Sequence, residues 1–293
     1  MFWRLRTAAM FVYMTLLLMG VGWLVMWLMD SFSYYFLGAL CAIALLMCFV
    51  TYFWSKKFAL TANRAKIVTE DQEPRLHAMV RDVARRANLP MPEVGIVESM
   101  QMNAFATGRN PKNAAVVVTR GLLMNMPEDE IRGVLAHEMS HVGNRDILVM
   151  SVASAISAIL TYVSRSIYYA TLFGDRRNNG AVLIGLLASI TVPFAALLIQ
   201  MSISRKREFL ADASGAKIIN DPRALARALT RLKGDVPVRR TQATGSNPAE
   251  DYSTAHMWIS SNLGGGIGNI FSTHPPLDER IKRLNKMADD MGL

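Results

Sequence analysis

Apolar positions along this chain fall into long unbroken runs and short periodic ones. Thr7 to Met29 contains no charged residue, and neither does Ser31 to Ser55. Each run exceeds the ~20 residues a helix needs to cross a ~30 Å hydrocarbon core. Asp30 and Ser31 are left as a tight turn between them. Trp23, Trp27, Tyr34 and Tyr35 cluster around that turn, and Tyr52 and Trp54 mark the other end, as an aromatic belt does. A cleaved signal peptide would carry an apolar part of only ~7–15 residues, so residues 1–55 are predicted to form an N-terminal transmembrane hairpin. Ile147 to Ser164 and Ala181 to Ser204 flank the polar turn Gly174 to Gly180 and read as a second hairpin over 147–204. Pro193 would kink its second helix, and Arg165 lies near a helix end, where its side chain can snorkel to the interface. Buried helices of a soluble core are the competing reading; length and scarcity of charge favour spans.

The remaining two stretches, 56–146 and 205–293, are periodic, and neither has enough apolar pattern to fold alone. They are expected to pack together as one domain. Pro74 to Asn88 places Leu76, Met79, Val80, Val83, Ala84 and Ala87 on one helical face. Val94 to Val97, Asn103 to Gly108 and Ala114 to Thr119 read as short strands. Pro127 heads a helix whose first turn holds Glu128, Asp129 and Glu130. Asn262 to Asn269, with four glycines, reads as a loop without the context of a phosphate cradle.

Composition narrows the class. A chain that is 52% hydrophobic and 19% charged has too much apolar surface to stay disordered. Its two cysteines, Cys41 and Cys48, lie two turns apart within one apolar run and make no disulfide framework. The formal charge is +9, from 32 basic and 23 acidic residues. The basic residues collect beside the apolar runs: Arg4 and Arg6; Lys56, Lys57, Arg64 and Lys66; Arg205, Lys206 and Arg207. Membrane proteins place cytoplasmic charge this way, and the aromatic–basic interleaving of a nucleic-acid groove is missing. With Arg4 and Arg6 inside, both periodic stretches face the cytoplasm. Arg176 and Arg177 then fall outside, against the positive-inside tendency, which leaves full crossing or a shallow, cleft-lining course open for the second hairpin.

The chemistry begins at His137-Glu138-Met139-Ser140-His141. Histidines four apart stack on one helical face and can converge on one zinc ion with bonds of ~2.0–2.1 Å. Glu138 projects beside that ion, placed to take a proton from the attacking water and pass it to a leaving amine. Two surface histidines flanking a glutamate are the plain alternative. A catalytic zinc needs a third protein ligand, and no third histidine follows at short spacing. His77, His256, His274 and the acids are the candidates. Glu208 and Asp212 are best placed, four apart on a predicted helix: Glu208 as ligand, Asp212 accepting a ligand imidazole's second N–H. Solvated acids pairing with Arg205 or Lys206 are the other reading.

These motifs resemble the HtpX family of membrane-integrated zinc metalloproteases, relatives of the eukaryotic prenyl-protein endopeptidase. The resemblance covers the N-terminal spans, Asn103 to Gly108, His137 to His141, the two further apolar segments, Ser204 to Asp212 and Thr273 to Ile281. It implies a predominantly α, polytopic membrane protein with about four transmembrane helices and a zincin-like α+β catalytic domain bearing a small sheet. It also implies one Zn2+ per chain on His137, His141 and Glu208, with Glu138 as general base. Asn103, Ala104 and Phe105 would belong to a strand edge that binds an extended peptide through main-chain hydrogen bonds; strand packing is the alternative for Asn103 and Phe105. His274 would support the oxyanion and Arg280 would line the site, the alternatives being a helix cap and a surface ion pair. The expected activity is that of a multi-pass zinc endopeptidase of the bacterial inner membrane. It would cleave damaged or misassembled membrane proteins and unfolded polypeptides on the cytoplasmic side, in quality control under stress. An intramembrane-cleaving protease and a non-catalytic scaffold with a structural zinc are the competing classes.

Overall fold

The computed structural model describes Val12, Trp23 and residues 34–148, 205–234 and 275–293. The expected turn at Asp30, the second hairpin beyond Leu148, the glycine-rich loop, His256 and His274 lie outside the described residues. The described elements are helix α1 (Tyr34–Ala62), strand β1 (Lys66–Ile67), α2 (Pro74–Arg86), β2 (Glu93–Val97), β3 (Ala104–Gly108) and β4 (Ala114–Thr119). After these come α3 (Arg120–Asn125), α4 (Glu128–Gly143), α5 (Arg205–Ile219), α6 (Pro222–Gly234) and α7 (Leu277–Asp290).

Helix α1 is 29 residues long, and Leu46, Phe49, Phe53 and Trp54 on it are exposed. Its last turns pack against the sheet. Ala59 is buried against Phe105 and Val117, and Lys56 pairs with Glu93 at 2.7 Å. Among the described residues, no helix is long and apolar enough to cross a membrane. What the structure displays is therefore the coarser part of the expected class, a mostly helical fold carrying a small mixed sheet.

The sheet runs in the order β1-β2-β4-β3. β2 and β4 are parallel, while β1 and β3 lie antiparallel to their neighbours. This leaves β3 as an edge strand, paired with β4 from Ala104 opposite Val118 to Gly108 opposite Ala114. Val116 and Val118 of β4 turn towards the helices, and the intervening Val117 faces α1, as a period of two requires.

Helix α4 is the centre of the molecule. Pro127 precedes it and three acids fill its first turn, complementing the exposed N–H groups there. Almost every residue from Glu130 to Val142 is buried, because the sheet, α2, α5 and α6 surround it. One apolar core joins Leu76, Val80 and Val83 of α2 and Ile96 of β2 to Leu135 and Met139 of α4. It continues into Ala216 of α5, Leu225, Leu229 and Leu232 of α6 and Leu284 of α7. Two glycines set how near the helices come. A Cβ on Gly215 of α5 would lie 2.8 Å from the His137 amide nitrogen, and one on Gly133 of α4 would lie 3.0 Å from the Leu225 backbone. Backbone against backbone, α6 and α5 thus press onto successive turns of α4.

Candidate active site

His137 and His141 project from one side of α4, as the four-residue spacing demands, and Glu208 reaches them from the first turn of α5. The two Nε2 atoms are 3.2 Å apart. Glu208 Oε2 lies 3.7 Å from His137 Nε2, and Oε1 lies 3.5 Å from His141 Nε2. Zinc–ligand bonds of ~2.0–2.1 Å at tetrahedral angles separate ligand atoms by about 3.4 Å, so this donor set has the spacing such an ion requires. Among the described residues these three form the group of His and acidic side chains able to hold one metal ion. All are at most 2% exposed, where an unbalanced carboxylate is costly unless a cation accompanies it.

Asp212 follows one turn after Glu208 on α5. Its Oδ1 lies 2.9 Å from His137 Nδ1, which makes it the acceptor for that ring's N–H and leaves Nε2 free as a metal donor. Arg280, reaching in from α7, grips the same carboxylate with both arms: Nε donates to Oδ2 at 2.8 Å and Nη2 to Oδ1 at 2.7 Å. Its Nη1 is 3.6 Å from Glu208. Arg280 is wholly buried; it stands behind the ligands as the counter-charge of two carboxylates.

These neighbours set the protonation states. Burial pushes His137 below the ordinary imidazole value despite its bond to Asp212. Burial would do the same to His141, but the carboxylates of Asp146, Glu208 and Glu138 hold it up at about 9. Burial would raise Asp212, yet the charge and hydrogen bonds of Arg280 and the contact with His137 bring it to about 2.

Glu138 stands beside the donor set. Its Oε2 accepts a 2.8 Å hydrogen bond from the amide of Ala106 on edge strand β3. Burial, reinforced by the nearby Glu208, raises its carboxyl to about 7, with His141 pulling the other way. A carboxylate poised near neutrality can both take up and release a proton under working conditions.

The other expected site residues divide by position. Asn103 precedes β3; its amide donates to Thr119 Oγ1 and its carbonyl accepts from the Thr119 amide, both at 2.9 Å. Ala104 begins β3 and is buried. The Phe105 side chain packs with Ala59 and Val117 against α1, so what this stretch can offer a peptide is main chain. The Ala106–Glu138 bond and the Arg280–Asp212 fork, 32 and 68 residues apart in sequence, follow from no local pattern; a buried arginine on an otherwise polar helix is visible only once the fold is known.

Comparison with known proteins agrees with this chemistry. The family model described as "Peptidase family M48" matches residues 70–288. A "Protease HtpX homolog" of Thermococcus kodakarensis is 43% identical over 299 residues, covering 99% of this chain and 97% of its own length. A protein of the same description from Burkholderia thailandensis is 44% identical over 84% of this chain and 85% of its own length. Among solved structures, a crystal structure of S. mikatae Ste24p aligns with a TM-score of 0.49 at 19% identity, covering 89% of this chain and 61% of the other.

Proposed function

The chain belongs to peptidase family M48, and from that premise we propose a zinc endopeptidase working at a membrane, with His137, His141 and Glu208 as metal ligands and Glu138 as general base. The observation that carries this reading is the triangle of ligand atoms at zinc spacing, with a fourth ionisable side chain beside it. Glu138 has no role in a structural metal site, which closes its coordination with protein ligands.

Bound in this cage, zinc supplies Lewis acidity, polarising a carbonyl and making water nucleophilic at neutral pH. The chain does the rest. Glu138 Oε accepts the proton of the attacking water, then delivers it to the departing amine. Its bond to the Ala106 amide keeps the carboxylate directed between the edge strand and the ligands. A substrate in extended form adds along β3, read by backbone at Asn103, Ala104 and Phe105, which favours shape over sequence. Asp212 fixes the His137 ring, and Arg280 fixes Asp212. In this scheme His274 supports the oxyanion.

Membrane attachment rests on the uncharged runs 7–29, 31–55, 147–164 and 181–204 and on apolar side chains that α1 turns away from the protein. Tyr52, Phe53 and Trp54 lie where α1 meets the domain, and the Arg109 guanidinium sits 5.1 Å from the Phe53 ring centre, as suits an interfacial level. The finer reading is a multi-pass protein of the bacterial inner membrane, active on the cytoplasmic side against damaged or misassembled membrane proteins during stress. The ion pairs of Asp129 with Arg227 and Glu130 with Arg231 at the head of α4 favour a watery setting for that helix over an intramembrane one.

The test is the wild type beside Glu138→Gln. Elemental analysis of both should find about one zinc per chain. Cleavage of a defined membrane substrate should fall by about 10²–10⁴ in the variant. Undiminished cleavage by Glu138→Gln would remove the proposed mechanism.

A further inference from the structure

His137 has its partner carboxylate; the second ligand histidine faces one as well. His141 Nδ1 lies 3.6 Å from Asp146 Oδ2. Both atoms are buried and without a hydrogen-bond partner, which is rare for polar atoms inside a protein unless a function keeps them so. Asp146 is 5% exposed although it lies in the turn after α4, three residues past Gly143. Its position is built: Arg145 adopts a left-handed backbone with φ of 61°, and the Asp146 amide donates back to the His141 carbonyl at 2.9 Å. This turn folds the aspartate beneath the histidine five residues earlier. On its far side, Arg207 Nη1 lies 3.7 Å from Asp146 Oδ1, reaching from the turn of α5 that carries Glu208.

We propose that Asp146 is a positioning residue for His141: it accepts the Nδ1–H of the imidazole when Nε2 takes the metal, with Arg207 steadying the carboxylate. The inference rests on the zinc reading above. Each ligand histidine then has a carboxylate, and each carboxylate an arginine from another helix: His137 with Asp212 and Arg280, His141 with Asp146 and Arg207. A gap of 3.6 Å is too long for a hydrogen bond and closes with a shift of well under an ångström. Closing it satisfies both orphaned atoms and makes the ring a stronger donor.

Zinc affinity of the full-length protein, measured by competition with a chromophoric chelator, tests this directly. Asp146→Ala should weaken binding by about 10–100-fold, and Asp146→Asn, which keeps an acceptor, by less. The Co2+-substituted Asp146→Ala protein should show shifted d–d bands. Melting of the chelator-treated proteins reads any purely structural effect. Affinity within threefold of wild type in Asp146→Ala overturns the proposal. So does a loss that accompanies an equal loss of metal-free stability and is not recovered by asparagine. If the alanine variant does not fold, unchanged affinity and unchanged cobalt bands in Asp146→Asn overturn it. Failure of the wild type itself to bind zinc defeats the metal reading, not the role of Asp146 alone.

Discussion

Around two imidazoles the protein gathers Glu138, Glu208, Asp212 and Asp146, all buried, and among the described residues Arg280 is the fully buried permanent cation of this shell. Burying charge is costly, and breaking one partner out of a buried pair leaves the other uncompensated. Arg280 makes both arms of a fork to Asp212, so its loss strands that carboxylate against His137. Arg280→Ala is expected to destabilise the fold by about 3–5 kcal/mol, seen as a large drop in melting temperature or denaturant midpoint. Arg280→Lys restores the charge without the planar fork and should recover part of that loss. An arginine serving only substrate would behave otherwise, raising KM while leaving the melt unchanged. Arg280 was expected at the site only through the family resemblance; its partner was not, because an arginine among acids on a polar helix reads equally as a surface ion pair. His137 and His141 differ in this respect, since their shared face follows from a four-residue spacing alone.

Elements turn these spacings into a site by meeting at the right distance. Within α4 and within α5 the geometry was legible, since Glu208 and Asp212, like the two histidines, are four apart. The approach of α5 to α4 was not. It depends on Gly215, and a glycine inside a helical run reads from sequence only as a weak point in a helix. In the fold the missing side chain lets the His137 backbone close in, bringing Glu208 to 3.5–3.7 Å from the imidazoles. Gly215→Ala should gain up to ~1 kcal/mol of helix propensity yet lose more, about 1–3 kcal/mol, to the forced separation. Zinc affinity should fall with it. Gly143→Ala is the matched control: its Cβ would meet Leu89 at an ordinary 3.4 Å, so stability and metal binding should stay near wild type. Titration of zinc into both variants, alongside thermal melts, separates the cases. The strands show a similar division. Short strand-like runs marked β2, β3 and β4, but not the two-residue β1, nor that β3 would lie at the edge beside Glu138, because pairing order is set by contacts distant in sequence.

At the scale of the whole molecule, the candidate metal site joins side chains, His141 and Glu208, that the chain keeps more than sixty residues apart. His137 and His141 belong to the first periodic stretch and Glu208 to the second, with the apolar segments 147–164 and 181–204 between them. One core spans both stretches already, so the domain need not depend on metal to fold, and an ion bound across them acts as a cross-link present in the native state alone. Such a ligand stabilises by RT ln(1 + [L]/Kd), about 2.7 kcal/mol when free zinc is a hundred times Kd. Chelation should therefore lower the melting temperature, and added zinc should restore it. Glu138→Gln removes the proposed base and none of the proposed ligands, so it should keep the full gap between metal-free and zinc-loaded melts while losing cleavage. Glu208→Ala removes the proposed ligand that the second stretch contributes among the described residues; the gap should close, and cleavage should go with it. A Glu208→Ala protein that still gained the wild-type increment from zinc would mean that the metal is held by the first stretch alone, and α5 would have to be reassigned from ligand-bearing helix to packing element.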